Sequence, residues 1–186
     1  PPKPIDVLLL EGTTLGRGIT GSLKPEDVIE DELTEVLRGT AGIALVHVSA
    51  QNIDRVVSIF RACLQANRTM IIDLYTAEIL AATGNSRIPQ SDWDRIALCI
   101  PHKQRLQIKK AGLFDALKRH SKHRIFSESI AKNPRGYTLI FRELWMRDLE
   151  RANCLDGACL IHSQWDGYLK EDSFREIDVW RQLHGL

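Results

Sequence analysis

The fold is decided by the stretch GIALVHVSAQNIDRVVSIFRACLQANRTMIIDL, residues 42–74. Two short apolar runs, Gly42–Val48 and Thr69–Leu74, flank Ile53–Asn67, in which apolar residues recur at helical spacing. Unbroken apolar runs are typical of strands that are buried on both faces of a parallel sheet. A strand, a helix and a second strand in this order form a right-handed parallel crossover. The stretch therefore predicts an α/β protein.

The same alternation extends along the rest of the chain. Further apolar runs predict strands at Ile5–Leu10, Ile96–Ile100, Arg124–Phe126, Tyr137–Phe141 and Ala158–His162. Amphipathic segments predict helices at Pro25–Leu37, after the Thr69–Leu74 strand through Ala82, and at Arg105–Lys122, Ser127–Ile130, Leu144–Arg151 and Asp172–Leu183. The polar segment 83–92 is predicted to be a loop. We expect one doubly wound domain over residues 1–186, with a mostly parallel sheet and helices on both faces, as in Rossmann and flavodoxin-like folds.

The bulk properties restrict the class of protein without naming a function. The 186 residues carry a formal net charge of +1, which commits the chain neither to nucleic acid nor to a membrane. No signal peptide leads the chain, and no apolar run approaches the roughly 20 residues of a membrane span. The four cysteines form no CxxC pair and are expected to be reduced thiols. These features predict a soluble, cytoplasmic protein, and the start Pro1–Pro4 suggests the interior of a longer chain.

Polar residues follow several of the predicted strands, where ligands collect in parallel sheets. They are Glu11; Ser49, Gln51 and Asn52; Asp73, Tyr75 and Thr76; and Ser163, Gln164 and Trp165. Glu11 is either a site carboxylate or the cap of a turn. Ser49 and Gln51 precede a helix and are predicted to bind phosphate, although Ser49 could equally be an ordinary N-cap. Asp73 could likewise cap the next helix, and Trp165 either stacks on a base or is structural.

Charge is segregated along the chain. Residues 102–124 contain eight Lys or Arg and one acid, whereas residues 26–35 contain six acids and no base. The basic segment is either a solvated helix or a contact for a phosphate backbone. In the second case the candidate residues are Lys109, Lys110, Arg119 and Arg124.

Motifs for metal and nucleotide chemistry are missing from the sequence. It contains no HxHxDH, HExxH, P-loop, GxSxG or GxGxxG. His120 and His123 are three residues apart and could share a helix face, but they lie among Lys and Arg, which disfavour zinc. We therefore assign no metal ligand to this chain.

Four stretches together resemble the β-CASP region of metallo-β-lactamase-fold nucleases. They are DVLLLEGTTLGR (6–17), VHVSAQNIDRVVSIFRACLQANRTMIIDLYTAEIL (46–80), PRGYTLIFRE (134–143) and DGYLKED (166–172), and they keep their order over nearly the whole chain. The group includes ribonuclease J, the endonuclease of pre-mRNA 3′-end processing and Artemis-type DNA nucleases, and the chain is most similar to bacterial and archaeal members.

The resemblance implies an α/β insert that lies over a two-zinc phosphodiesterase site in the metallo-β-lactamase domain of the same parent chain. RNA or DNA would run through the cleft between the two parts. Glu11 matches the motif A acid, which orients a histidine that normally follows a stretch like WRQLHGL (180–186), where this sequence stops. Gly12 departs from the Ser or Ala that is usual after motif A. Ser49 and Gln51 match a turn that faces the cleft. The zinc ions would be held by the parent, and none by this chain.

Two other functions stay open from the sequence. A stand-alone α/β domain could bind nucleic acid or an acidic protein through residues 102–124 without any catalysis. A nucleotide-binding enzyme could use Ser49 and Asp73 at adjacent strand ends, although it would lack a phosphate loop.

Overall fold

The computed structural model describes residues 24–164, Leu169 and 172–186. Five strands form one sheet: β1 (Ala44–His47), β2 (Thr69–Ile72), β3 (Ile96–Leu98), β4 (Tyr137–Phe141) and β5 (Cys159–His162). Their order across the sheet is β3-β2-β4-β1-β5, and every pair is parallel. The predicted parallel α/β fold is thus confirmed. The strand predicted at Ile5–Leu10 lies outside the described residues.

Helices cover both faces of the sheet. They are α1 (Glu26–Gly39), α2 (Ile53–Gln65), α3 (Leu74–Ala82), α4 (His102–Ala111), α5 (Phe114–Arg119), α6 (Ser127–Lys132), α7 (Met146–Ala152) and α8 (Asp172–His184). Alternate strand residues point to opposite faces, so Val46 packs with α1 to α5, whereas Leu45 packs with α6 to α8. The two apolar clusters form the double-layered core that a doubly wound fold requires.

Two of the predicted elements are wrong. Arg124–Phe126 is not a strand, because only a single bridge pairs Arg124 with Leu98 and α6 begins directly after Phe126. The helix predicted over Arg105–Lys122 is two helices. Gly112 adopts a left-handed conformation with φ of 67°, which ends α4, and α5 starts at Phe114.

A buried arginine ties the start of the sheet to α1. Arg68 is 2% exposed and precedes β2 directly. Its guanidinium donates hydrogen bonds of 2.6–3.0 Å to the backbone carbonyls of Leu37, Thr40, Gly42 and Tyr137. These carbonyls belong to the end of α1 and to the entries of β1 and β4. One side chain therefore satisfies buried acceptors from three elements at once.

We expect Arg68→Met to lower the free energy of unfolding by about 3 kcal/mol, because it leaves several buried carbonyls without donors. Urea unfolding followed by circular dichroism measures the change. Arg61→Met is the matched control, since Arg61 is 64% exposed and its 3.7 Å ion pair with Glu30 is a surface contact. The control should stay within about 0.5 kcal/mol of the unsubstituted protein. Equal effects of the two substitutions would show that the Arg68 hydrogen bonds contribute little.

Candidate functional site

The carboxyl ends of β1, β4 and β2 lie side by side at the centre of the sheet. The helices that follow β1 and β2 pack on one face, whereas α7, which follows β4, packs on the other. Neighbouring strands whose connections leave in opposite directions open a crevice at their carboxyl ends, where α/β proteins bind ligands. The candidate site is this central edge.

Three side chains from distant parts of the sequence meet at this edge. The Gln51 amide donates to the Tyr75 hydroxyl at 3.2 Å, and the Arg142 guanidinium lies 4.8 Å from the centre of the Tyr75 ring. Arg142 also forms an ion pair with Asp73. Tyr75 stays 39% exposed, so the edge presents an aromatic ring that is backed by a cation.

Asp73 is a structural carboxylate. It is 1% exposed, and its Oδ1 accepts from the backbone N–H of Thr76 at 2.8 Å, which caps α3. Its Oδ2 accepts from Arg142 and, at 3.3 Å, from the Gln104 amide. Gln104 in turn accepts from the Leu74 N–H at 3.0 Å. The capping interpretation of Asp73 is confirmed, and its oxygens are engaged within the protein.

Ser49 and Gln51 are exposed at the end of β1, where the sequence places them. The interpretation of Ser49 as the N-cap of α2 is wrong, because Asn52 accepts from the Arg55 N–H at 3.1 Å and fills that role. Ser49 Oγ instead accepts from the Gln51 N–H at 3.3 Å. Since this bond uses a lone pair, the Ser49 hydroxyl hydrogen stays available to a ligand.

The predicted basic residues lie on a different part of the molecule. Lys109 and Lys110 occupy the exposed last turn of α4. Arg119 forms a 2.8 Å ion pair with Glu78, and Arg124 lies over the Phe126 ring beside β3. Two strands separate β3 from β1, which places the end of β1 about 14 Å from the β3 edge. The structure therefore does not gather the six predicted binding residues into one cluster.

His120 and His123 do not share a helix face, contrary to the sequence expectation. Both residues follow the end of α5. His120 is buried and lies 2.6 Å from Ser91 Oγ and 2.9 Å from Glu78 Oε1, whereas His123 contacts the Asp92 carbonyl at 3.1 Å. Their contacts with Ser91 and Asp92 hold the 83–92 loop against the segment that follows α5.

A histidine pair at the same edge escaped the sequence reasoning. His47 and His162 are register partners at the ends of β1 and β5, and their Nδ1 atoms are 3.2 Å apart. Phe174 packs against both rings, and Nε2 of His162 has no hydrogen-bond partner among the described residues. The signal was present in the sequence, because both strands end in an apolar run followed by histidine, ALVH and CLIH.

Burial lowers the pKa of His47 to about 4, and the neighbouring His162 adds to this effect, whereas Glu143 opposes it. A single proton can occupy the contact between the two Nδ1 atoms. His47 is therefore a neutral hydrogen-bonding group at neutral pH.

Other chemical groups are accounted for as follows. All four cysteines are free thiols, and burial raises the pKa of Cys63 and Cys99 to about 12, so neither is a nucleophile at neutral pH.

In residues 24–164, 169 and 172–186, no three His, Cys, Asp or Glu side chains are arranged to hold a metal ion, and no helix is long and apolar enough to cross a membrane. Glu11, Gly12 and Trp165 lie outside the described residues.

We expect the protein to lose about 2 kcal/mol of stability through His47 as pH falls from about 6.5 to 4. The unfolded chain binds this proton near pH 6.5 and the folded protein only near pH 4, so acid favours unfolding within that window. Partial exposure of the ring keeps the loss below the full value of the pKa shift. Urea unfolding at each pH, compared with His47→Gln, measures this contribution. Parallel curves for the two proteins would contradict it.

Comparisons with known proteins found no similar protein. No protein-family model, curated protein or solved structure matches the chain. The description of this edge therefore depends on the residues of the chain alone.

Proposed function

We propose that this chain is the β-CASP portion of a zinc-dependent metallo-β-lactamase-fold phosphodiesterase, most consistent with a ribonuclease. In this proposal it forms one wall of the cleft that holds the nucleic acid, and the metallo-β-lactamase domain of the same parent chain forms the other. The proposal is supported by the four ordered stretches of resemblance, which run from residue 6 to residue 172, and by the α/β fold.

The observation that carries the proposal is the contact between Gln51, Tyr75 and Arg142. Gln51 and Tyr75 lie in two separate blocks of the 46–80 stretch, SAQNIDR and IIDLYTAE, and Arg142 lies in the 134–143 stretch. The stretches that carry the resemblance are far apart in sequence, yet they meet at the ligand-binding edge of the sheet.

The edge offers suitable chemistry for a single-stranded nucleic acid. The Ser49 hydroxyl and the Gln51 amide are neutral donors that can reach phosphate oxygens, and the exposed Tyr75 ring can stack on a base. Lys109 and Lys110 would add a sequence-independent attraction for the backbone outside this edge.

The catalytic groups come from elsewhere in the parent. This proposal assigns the zinc pair to the partner domain, and in residues 24–164, 169 and 172–186 no three His, Cys, Asp or Glu side chains are arranged to bind a metal ion. Bound in the partner domain, the zinc ions would supply an activated water for attack on the phosphodiester bond. Glu11 would hold the downstream histidine in the orientation that protonates the leaving oxygen. The isolated chain is accordingly inactive.

A second candidate function is a stand-alone nucleic-acid or protein-binding domain without catalysis. It is favoured by the exposed lysines of α4, which have no carboxylate partner in the described part of the chain. An HxHxDH motif encoded just upstream in the same reading frame would reject this candidate in favour of the nuclease. A nucleotide-binding enzyme has less support, because the carboxylate of Asp73 is fully engaged.

We expect the isolated chain to bind a fluorescent oligouridine of about 12 nucleotides, and Tyr75→Ala to weaken the binding roughly tenfold through lost base stacking. The double substitution Lys109→Glu with Lys110→Glu should also weaken the binding. It should lower the slope of the logarithm of the affinity against the logarithm of the salt concentration by about 2. Fluorescence anisotropy at several salt concentrations measures both effects.

Lys132→Glu is the matched control, because Lys132 is exposed on α6, on the opposite face of the sheet. It should leave the affinity within about twofold. A Tyr75→Ala protein that binds as tightly as the unsubstituted chain would remove the edge from the binding surface. Tight stoichiometric zinc binding by the isolated chain would contradict the assignment of the metal to the parent domain.

A further inference from the structure

The outer side of α1 is an acidic surface with apolar residues within it. Val28 and Val36 are 41% and 45% exposed. The exposed acids around them are Asp27, Asp31, Glu32 and Glu35. We call these six residues the acidic face.

The outer side of α4 and the start of α5 form a surface of opposite charge. Its exposed apolar residues are Leu106, Leu113 and Phe114, at 55%, 46% and 58%. The exposed cations around them are Lys103, Lys109, Lys110 and Lys118. We call these seven residues the basic face. Each of the two faces therefore combines exposed apolar residues with an excess of one charge, although Lys24 and Arg38 pair with acids of the acidic face and Asp115 is exposed beside Phe114 of the basic face. Opposite charges of this kind are the complementarity that guides one protein surface onto another.

Some charges on both faces lack an ion-pair partner among the described residues. Glu32 pairs with Lys24 and Glu35 with Arg38, but Asp27 and Asp31 have no cationic partner among residues 24–164, 169 and 172–186. The four lysines of the basic face likewise contact no carboxylate in the described ranges. These charges are available to a second molecule.

The two faces lie at opposite ends of the sheet. The residue after α1, Thr40, contacts Cys159 of β5, and the segment after α5 pairs through Arg124 with β3. In the described part of the chain, β5 and β3 are the two edge strands. Since the faces lie at opposite edges of the sheet, their charges do not pair with each other within one molecule.

We propose that copies of this chain associate head to tail, with the acidic face of one copy on the basic face of the next. The net charge of +1 gives little overall repulsion between copies. A contact between two different surfaces of identical chains leaves one surface of each kind free, so it builds open chains unless the rotation closes a ring. The basic face shares Lys109 and Lys110 with the proposed nucleic-acid contact. The association itself is independent of that function and is measured without nucleic acid.

Sedimentation velocity and multi-angle light scattering test this association at rising protein concentration. At about 50 mM NaCl, we expect the weight-average mass to rise from the 21.1 kDa of the monomer to at least twice that value. At about 500 mM NaCl it should return to 21.1 kDa, because salt screens the contact between the faces.

Charge reversal supplies the specific test. Asp31→Lys with Glu35→Lys cancels the charge of the acidic face and leaves the basic face intact, whereas Lys103→Glu with Lys110→Glu cancels the charge of the basic face and leaves the acidic face intact. Each double variant alone should be monomeric, and an equimolar mixture of the two should form 1:1 dimers, because the intact basic face of the first variant can still bind the intact acidic face of the second.

Several outcomes would overturn the proposal. The unsubstituted chain could stay monomeric at low salt, a single double variant could associate as strongly as the unsubstituted chain, or the mixture could stay monomeric although both variants fold. Far-UV circular dichroism and melting temperatures establish folding, and all four substituted positions are exposed, so we expect them to change little.

Discussion

A buried carboxylate at the end of β2 sets the geometry on which the candidate site depends. Asp73 is almost completely removed from water, and a charge in that position must be paired and hydrogen-bonded. The ion pair with Arg142 joins the end of β2 to the end of β4, and the bond to the Thr76 N–H starts α3. Gln104 adds α4 to the same group. One carboxylate thus fixes four elements and, through Arg142, the position of the Tyr75 ring.

This arrangement explains why the edge looks unlike a phosphate-binding loop. Its cation, Arg142, is committed to Asp73 and to the underside of Tyr75, so the groups that face solvent are a hydroxyl, an amide and an aromatic ring. Such groups position a nucleic acid through hydrogen bonds and stacking, without concentrating positive charge. The neutral His47 beside them is consistent with this polarity. Such a carboxyl edge of the sheet would suit one wall of a cleft that guides a nucleic-acid strand toward catalytic groups in another domain.

The sequence predicts the architecture well, because strand and helix patterns are local. Apolar runs and helical spacing identified all five described strands, and the capping role of Asp73 could be read from its place between a strand and a helix. The end of α4 at Gly112 was not predicted, because a glycine within a helical pattern can either be tolerated inside the helix or end it. Arg124–Phe126 was apolar enough for a strand, but its pairing stops at the single bridge to Leu98, because α6 begins at Ser127.

The contacts of the site were less predictable, because they depend on which strands become neighbours. The His47–His162 contact requires β1 beside β5, and the contact of Arg142 with Asp73 requires β4 beside β2. No local pattern states that order. The basic residues were grouped with Ser49 because both suit phosphate. In the sheet, however, two strands lie between β3, beside which Arg124 lies, and β1, which Ser49 follows.

The most direct measurement compares the full-length parent protein with its Glu11→Ala variant, by phosphodiester cleavage rate and by zinc content per chain. We predict that turnover falls sharply while zinc content stays the same, since in the proposed function Glu11 would orient a proton donor without binding metal. Loss of zinc together with activity would contradict the role of Glu11. Unchanged turnover would contradict that role as well, whereas a parent that cleaves no phosphodiester bond, or that contains no zinc, would contradict the nuclease assignment itself.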